Sequence, residues 1–372
     1  MSTYIHELPG WPGLHWNRDA LGASLGFTRF MQGHLVGHMQ GLGFGVKEEA
    51  ELQTLTQDVL KTSEIEGEIL DAEQVRSSIA RHLGLDAGGL KPIDRAVEGI
   101  VEMTLDATRG YDRPLTEERL FSWHAALFPS GRTGVRRITV GAWRTEESGA
   151  MQVVSGSLGR EQVHFEAPAA ARVPGEMRRF LDWFNGETII DVVCKAALAH
   201  LWFATIHPFA DGNGRIARAI ADMALARSER SARRFYSMSA QIRQERRDYY
   251  AILERTQHGT MDVTPWMEWF LGCLGRAIDG AYVSLDGVMA KARFWEAIHD
   301  VPLNDRQQRI INRLLQGFEG KLTTVKWATL AKCSPDTALR DIQYLVDRGV
   351  LTCSAAGGRS TSYALVVVPP RT

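Results

Sequence analysis

Apolar residues recur at helical spacing from about Leu21 to Ala80, which predicts helices that bury one face. Gly41, Gly43 and Gly45 punctuate this run, and "DAGGLKP" (Asp86 to Pro92) ends it. The spacing resumes from Asp94 to about Thr108. "RGYDRPLTEERL" then reads as a loop and a capped helix start, with Thr116 ahead of two glutamates. Between Arg132 and Pro168 the texture changes. "RRITVGAWR" and "QVHFEAP" alternate apolar and polar residues around "GAMQVVSG", which predicts short strands and a small β-hairpin beside a helical body. Helical spacing covers about Pro174 to Phe184 and Val192 to Ile206. The second of these, "VVCKAALAHLWFATI", is apolar nearly all round and is expected to be the central buried helix. A helix opening at Gly-Asn-Gly carries Ile216, Ile220 and Met223 on one face. Two more are predicted over about Ala240 to Arg255 and Pro265 to Ala281.

From Leu303 the pattern shifts to a helix over Arg306 to Leu315, a short helix around Lys326 to Lys332, and "SPDTALRDIQYLVDRGVL". Ser334 is placed to cap that last helix, with Pro335 at its first position and Gly349 to stop it. "VLTCSAAGGRSTSYALVV" reads as two strands around a Gly-Gly turn. Helix, helix, helix, hairpin is the order of a winged helix-turn-helix. The fold class expected is mainly α, in three regions: 1–95 helical, 96–285 a helical core with a small β-hairpin, and 286–372 a linker helix with the winged helix. No internal repeat or low-complexity segment interrupts them.

A chain of 372 residues is long enough for more than one core. Its formal net charge of −1 gives no global attraction to nucleic acid, so any duplex contact must come from a local patch. The winged helix offers a thin one. Arg340 and Arg348 share the third helix with Asp336, Asp341 and Asp347, and Lys326, Lys332 and Arg359 flank it. That leaves a weak DNA contact and a protein contact such as a homodimer both open. The four cysteines show no CxxC pairing, which favours incidental thiols in a reducing compartment. "MSTYIHELPGWPGLHW" has neither a basic nor an apolar signal region, and no run of about 18 apolar residues predicts a membrane span, so a cytoplasmic location is expected.

The chemistry concentrates in "HPFADGNGRIAR", His207 to Arg218. Gly212 and Gly214 let successive backbone N–H groups turn toward one point, and the following helix adds its free first-turn donors and its dipole. Arg215 and Arg218, three apart, share a helix face and can clamp further phosphate oxygens. Asp211 is a hard oxygen ligand suited to Mg²⁺ between phosphates. His207, at the end of a rigid helix, can take a proton from a hydroxyl. Each feature alone reads as a turn, a cap or a solvated cation; their combination points to transfer of part of a nucleotide. No GxxxxGK[ST] pattern is present.

This stretch resembles the Fic family signature HxFx[DE]GNGRxxR, matched by His207, Phe209, Asp211, Gly212, Asn213, Gly214, Arg215 and Arg218. Upstream, "GAWR…GAMQVVSG…VHFEAP…RRFLDWFN" is similar to the family's flap hairpin and following helix, and downstream "ERRDYYAILE" to its adenine-side helix. Together the resemblance covers roughly Thr116 to Phe270. It implies AMP transfer from ATP to a protein Ser, Thr or Tyr hydroxyl, with release of pyrophosphate. In that scheme His207 is the general base and Asp211 holds Mg²⁺ across the α- and β-phosphates. Asn213 and the Gly212 and Gly214 amides cradle phosphate oxygens, Arg215 takes the β-phosphate and Arg218 the γ-phosphate. Phe209 anchors the loop, and Tyr249 and Tyr250 flank the base. Met151 to Gly156, including Gln152, Val153, Val154 and Ser155, align a target by strand pairing. Glu245 stands where the family often has Asn.

Thr62 to Gly67, "TSEIEG", also fits the family's inhibitory pattern [ST]xxxE[GN]. Thr62 and Glu66, four apart, face the same way on a helix. Ser63 and Glu66 fit a capping box as well, and Glu64, Glu66 and Glu68 a solvated acidic face. Beside the Fic signature the resemblance implies that Glu66 pairs with Arg218 and withholds it from the γ-phosphate. The expected function is therefore an autoinhibited protein adenylyltransferase acting on target proteins and on itself. Alternatives are transfer of another nucleotide, removal of AMP as a two-way enzyme, and an ATP-sensing DNA-binding regulator.

Overall fold

The computed structural model describes residues 4–85, 92–146, 149–155, 162–315, 318, 320–354 and 361–366. It divides into two compact units, Met1–Val283 and Ser284–Thr372, so the first two regions expected from sequence share one unit. The parts of "DAGGLKP" before Pro92, Gly156, Arg359 and the Gly-Gly turn lie outside the described residues. Among those described, no helix is long and apolar enough to cross a membrane.

The larger unit begins with α1 (Arg18–Gln40), α2 (Phe44–Ile65), α3 (Ala72–Leu83), α4 (Arg95–Arg109) and α5 (Glu117–Leu127). Side chains start three of them. Asn17 accepts from Asp19 and Ala20 N–H, Asp71 from Glu73 and Gln74, and Thr116 from Arg119. Two short antiparallel pairs follow, β1 (Arg132–Thr133) with β2 (Arg136–Arg137), and β3 (Gln152–Ser155) with β4 (Gln162–Glu166). The rest is α6 (Val173–Asn185), α7 (Val192–Ile206), α8 (Asn213–Glu229), α9 (Met238–Gln244), α10 (Arg246–Gln257) and the first part of α11 (Thr264–Ala297), which continues past Val283. As its composition predicts, α7 is buried at every position from Val193 to Ile206, and it packs along α8. α4 closes on α8 and α5, and α2 lies against α9, α3 and α8, so the N-terminal helices complete the core around the His207 loop.

Two local expectations differ. "RRITVGAWR" forms a ladder only at Arg136–Arg137. Beyond it the backbone donors bond elsewhere, Gly141 N–H to His124 Nδ1 (3.1 Å) and Arg144 N–H to Pro208 O (2.9 Å), so no strand forms. The helix read over Ala240 to Arg255 is two helices, broken at Glu245 (φ −100°, ψ 27°). There the Glu245 carboxylate accepts from Arg276 of α11 at 2.5 and 2.7 Å.

The smaller unit carries α12 (Asp305–Leu315), α13 (Thr324–Ala331), α14 (Pro335–Asp347) and the antiparallel pair β5 (Leu351–Cys353) and β6 (Tyr363–Leu365). Trp327, Ile311, Ile342, Leu345 and Val350 form its core. Ser334 caps α14 by accepting from Thr337 N–H, and Gly349 takes φ +69° after it. Asp341, one of the acids read on the third helix, is buried and accepts from Arg306 and Asn304.

Gly99 sets the approach of α4 to α5. A Cβ there would fall 1.8 Å from the Ala126 carbonyl oxygen. Gly99→Ala is therefore expected to cost about 1–3 kcal/mol by forcing the helices apart. Thermal or denaturant unfolding of the variant reads this directly, and an unchanged midpoint would refute the packing argument.

Candidate functional site

α7 does not end on a glycine. His207 is its C-cap in the left-handed region, φ 52°, ψ 57°, with its N–H still bonded to Phe203 O at 3.0 Å. A β-carbon there costs on the order of 1 kcal/mol, so surrounding bonds must hold it. Arg144 supplies them. Its Nε donates to His207 O (2.8 Å), its backbone N–H to Pro208 O, and its Nη2 to Pro168 O at the base of the flap hairpin. Burial lowers the Arg144 pKa to about 10, which leaves it charged at neutral pH. In the sequence Arg144 stands only as part of the strand-like "RRITVGAWR" and of the flap resemblance. Its role is to bond main-chain carbonyls, and no side-chain spacing announces that.

The turn after Pro208 is built from within. Asn213 Oδ1 accepts from Phe209 N–H and Asn213 Nδ2 donates to Phe209 O, both at 2.9 Å. The Asn213 carboxamide thus closes the loop, and the backbone N–H is what it can offer to a phosphate. Phe209 is fully buried, stacked on His124 at 4.3 Å, and so anchors the loop from the core side. Burial lowers the His124 pKa to about 4, so this platform is neutral. Gly212 adopts φ +79°, and a Cβ there would come 2.9 Å from Phe128. The first-turn N–H groups of α8 then lack intrahelical acceptors and face the site.

His207, Asp211, Gly212, Asn213, Gly214, Tyr249 and Tyr250 all line one cavity of about 590 Å³. His207 Nδ1–H donates to Ala204 O (3.2 Å), a tautomer that leaves Nε2 with its lone pair. Desolvation, reinforced by Arg144, holds the His207 pKa below the ordinary histidine value against the opposing fields of Glu66 and Asp211. Asp211 is fixed by Thr133 of β1 (Oγ1 to Oδ2, 2.5 Å) and by Gly212 N–H (2.5 Å). Among the described residues, no second carboxylate joins it in a three-member ligand group. Among the described residues, that grouping occurs at His82, Glu98 and Glu102 of α3 and α4. One carboxylate beside a phosphate cradle fits Mg²⁺, which commonly takes the rest of its shell from phosphate and water. Tyr249 is buried, its hydroxyl 2.9 Å from His200 Nε2, and Tyr250 borders Ile65 O at 3.4 Å. Glu245 turns instead to Arg276.

The flap strand β3 borders the same cavity with Met151, Gln152, Val153, Val154 and Ser155. It pairs only with β4, in a register that shifts between Val153 and Val154, and has one edge unpaired among the described residues. Three histidines hold β4 in place. His6 and His258 bond the carbonyls of Glu166 and His164 at 2.8 Å, and His164 Nδ1 lies 3.0 Å from Glu254 of α10.

Arg215 and Arg218 are buried under the cradle and do not line the cavity; Glu66 does. Glu66 Oε1 accepts from Arg218 Nη2 at 2.6 Å, and Thr62 accepts from Arg218 twice, through Oγ1 (2.8 Å) and its carbonyl (3.0 Å). Burial disfavours the Arg218 charge, but Glu66 and the two tyrosines outweigh it and raise the pKa. The helix end explains the sequence pattern. Gly67 takes φ +87°, with Gly67 N–H bonded to Glu64 O (3.1 Å) and Glu68 N–H to Ser63 O (3.0 Å). That is a Schellman closure, which needs a residue tolerant of the left-handed region after the cap. Arg218 Nη1 and Arg215 Nε are buried and find no partner among the described residues, so each arginine keeps a donor for an anion.

The Fic/DOC family model matches residues 114–225, and a domain of unknown function (DUF4172) matches residues 4–85. Curated relatives named protein adenylyltransferase Fic include one from Nematostella vectensis, 34% identical over 119 residues, 32% of this chain and 26% of the relative. Another, from Culex quinquefasciatus, is 27% identical over 247 residues, 65% of this chain and 44% of the relative. The chain thus spans less than half the length of these relatives. Among solved structures, a Fic family protein from Desulfovibrio desulfuricans G20 shares the fold with TM-score 0.51 at 21% identity, over 94% of this chain and 97% of that one. A Fic domain containing signaling protein from Bacteroides thetaiotaomicron VPI-5482 does so with TM-score 0.52 at 21% identity, over 70% of this chain and 97% of that one. With the signature loop lying inside the matched segment, the chain carries a Fic/DOC family domain.

Proposed function

We propose that the chain is a protein adenylyltransferase that its own α2 holds inactive, transferring AMP from ATP to Ser, Thr or Tyr hydroxyls of proteins, itself included. The observation that carries this reading is the imidazole of His207, its Nδ1–H bonded to Ala204 O, sharing one cavity with the glycine-lined start of α8. An acceptor hydroxyl entering along the unpaired edge of β3 gives its proton to His207 Nε2. Its oxygen bonds to the α-phosphorus while the α–β bridging bond breaks, and pyrophosphate leaves with the electron pair. The Asn213 and Gly214 amides meet the charge that develops at phosphorus, and Arg215 and Arg218 hold the β- and γ-phosphates. Asp211 would hold Mg²⁺, which supplies neutralisation of the phosphate charge. Tyr249 and Tyr250 border the adenosine side, the names of the curated relatives supplying the adenine specificity.

In the resting chain Glu66 takes the Arg218 position of the γ-phosphate, and ATP cannot align for attack. Arg218 stays in place when Glu66 leaves, because Thr62 still gives it two acceptors.

Two expectations follow for labelled ATP with Mg²⁺. His207→Ala is expected to reduce AMP incorporation by at least ~10²-fold, while Glu66→Gly raises self-modification by ~10-fold or more. Incorporation unchanged in both variants would remove the reading. Labelled GTP, UTP and CTP in parallel identify the base that is transferred. The base mechanism also fixes a pH profile. Since His207 titrates below its ordinary value and acts in the neutral form, the Glu66→Gly rate is expected to hold from about pH 8 down to about pH 6.5 and to fall only in more acid solution. An acid limb centred above pH 7 would exclude His207 as the titrating base.

A further inference from the structure

Each arginine at the start of α8 is met by a carboxylate from the same helix end. Glu66 Oε1 lies 2.6 Å from Arg218 Nη2, and Glu68 Oε2 lies 2.6 Å from Arg215 Nη1. The second contact lies outside the inhibitory pattern, which stops at Gly67. The Schellman closure fixes the spacing between the two acids, since Glu68 N–H is tied to Ser63 O and Gly67 turns the chain between them. Arg215 has little freedom to turn elsewhere. Its side chain is 3% exposed and its guanidinium stands 5.2 Å over the Phe128 ring. Its Nε, buried and unpartnered among the described residues, remains a donor in search of an anion. Glu68 is 46% exposed and can swing into solvent.

We infer that Glu68 is a specificity-determining residue: by occupying Arg215 it sets how many phosphates of a nucleotide the resting pocket accepts. The inference rests on the proposed function for assigning Arg215 to the second phosphate and Arg218 to the third. A nucleoside monophosphate meets the cavity walls and the start of α8 and engages neither arginine. A diphosphate must displace Glu68 from Arg215. A triphosphate must displace both Glu68 and Glu66. Each displacement exchanges one anion for another on a buried guanidinium, so the carboxylate subtracts from the phosphate's own affinity. Solvent already screens half-exposed Glu68, so its share is the smaller one.

The test is calorimetric titration of AMP, ADP, ATP and inorganic pyrophosphate, with Mg²⁺, into the full chain and its Glu68→Ala, Glu68→Gln and Glu66→Gly variants. Both Glu68 variants are expected to tighten ADP and pyrophosphate about three- to ten-fold and to leave AMP unchanged. Glu66→Gly is expected to tighten ATP more than ADP. Unchanged ADP and pyrophosphate affinities in both Glu68 variants would overturn the inference, as would an equal gain for AMP. Pyrophosphate reads the arginines without any assumption about catalysis. If it binds more tightly to the Glu68 variants while no variant incorporates AMP, the Glu68 assignment stands and the proposed function falls. If Glu66→Gly incorporates AMP but the Glu68 variants bind ADP as the wild type does, the function stands and this inference falls.

Discussion

A guanidinium that is 2% exposed cannot remain without a counter-charge, and Arg218 is the group on which this structure turns. The resting protein satisfies it with Glu66 and Thr62 from α2. A bound triphosphate would satisfy it with phosphate oxygens. The two arrangements exclude each other because the Glu66 carboxylate lies directly over Gly214, where a Cβ would stand 2.2 Å from Oε1. In the proposed function, inhibition and catalysis would thus be two ways of neutralising one buried charge. Neither needs a large rearrangement of α8, whose position is set by the buried face of α7.

The contact also explains why α2 is integral to the fold. Asp58 and Thr62 of α2 and its C-cap Glu66 are spaced four residues apart, as are Asp222, Arg218 and Gly214 on α8. Thr62 and Glu66 meet Arg218 directly, and the carboxyls of Asp58 and Asp222 interact beneath them. Burial, with Asp58 beside it, lifts the Asp222 pKa to about 7, and Arg234 bonds it from the far side at 2.9 Å. A row of polar pairs between two helices fixes register, since a slip would leave several buried groups unpaired at once. The register it fixes is the one that delivers Glu66 to Arg218.

What could be read from sequence followed from local rules. The all-apolar run of α7, the caps at Thr116 and Ser334, and the glycine-flanked start of α8 are each set within a turn or two of chain. The four-residue step from Thr62 to Glu66 is of the same kind. What could not be read depended on distant partners. α10 begins only after a break at Glu245, whose carboxylate is held by Arg276, 31 positions away. "GAWR" alternates as a strand should, yet its donors go to His124 and to the loop after α7. Thr133 and Arg144, which position Asp211 and His207, act on a carboxylate and on carbonyls far along the chain. Arg306 similarly draws Asp341 inward, so the third helix of the small unit shows solvent fewer acids than its sequence suggests.

The helix end after Glu66 shows how a short pattern can carry two kinds of information. Glycine at position 67 is required by backbone geometry, since φ +87° suits few other residues. Glutamate at 66 is required by charge. Because the same closure presents Glu68 to Arg215, one left-handed residue aims two carboxylates at two arginines that themselves lie three apart on α8. Any residue at 67 that forced the chain out of this conformation would move both acids together. The carboxylate contacts of Arg215 and Arg218 are therefore mechanically coupled through Gly67.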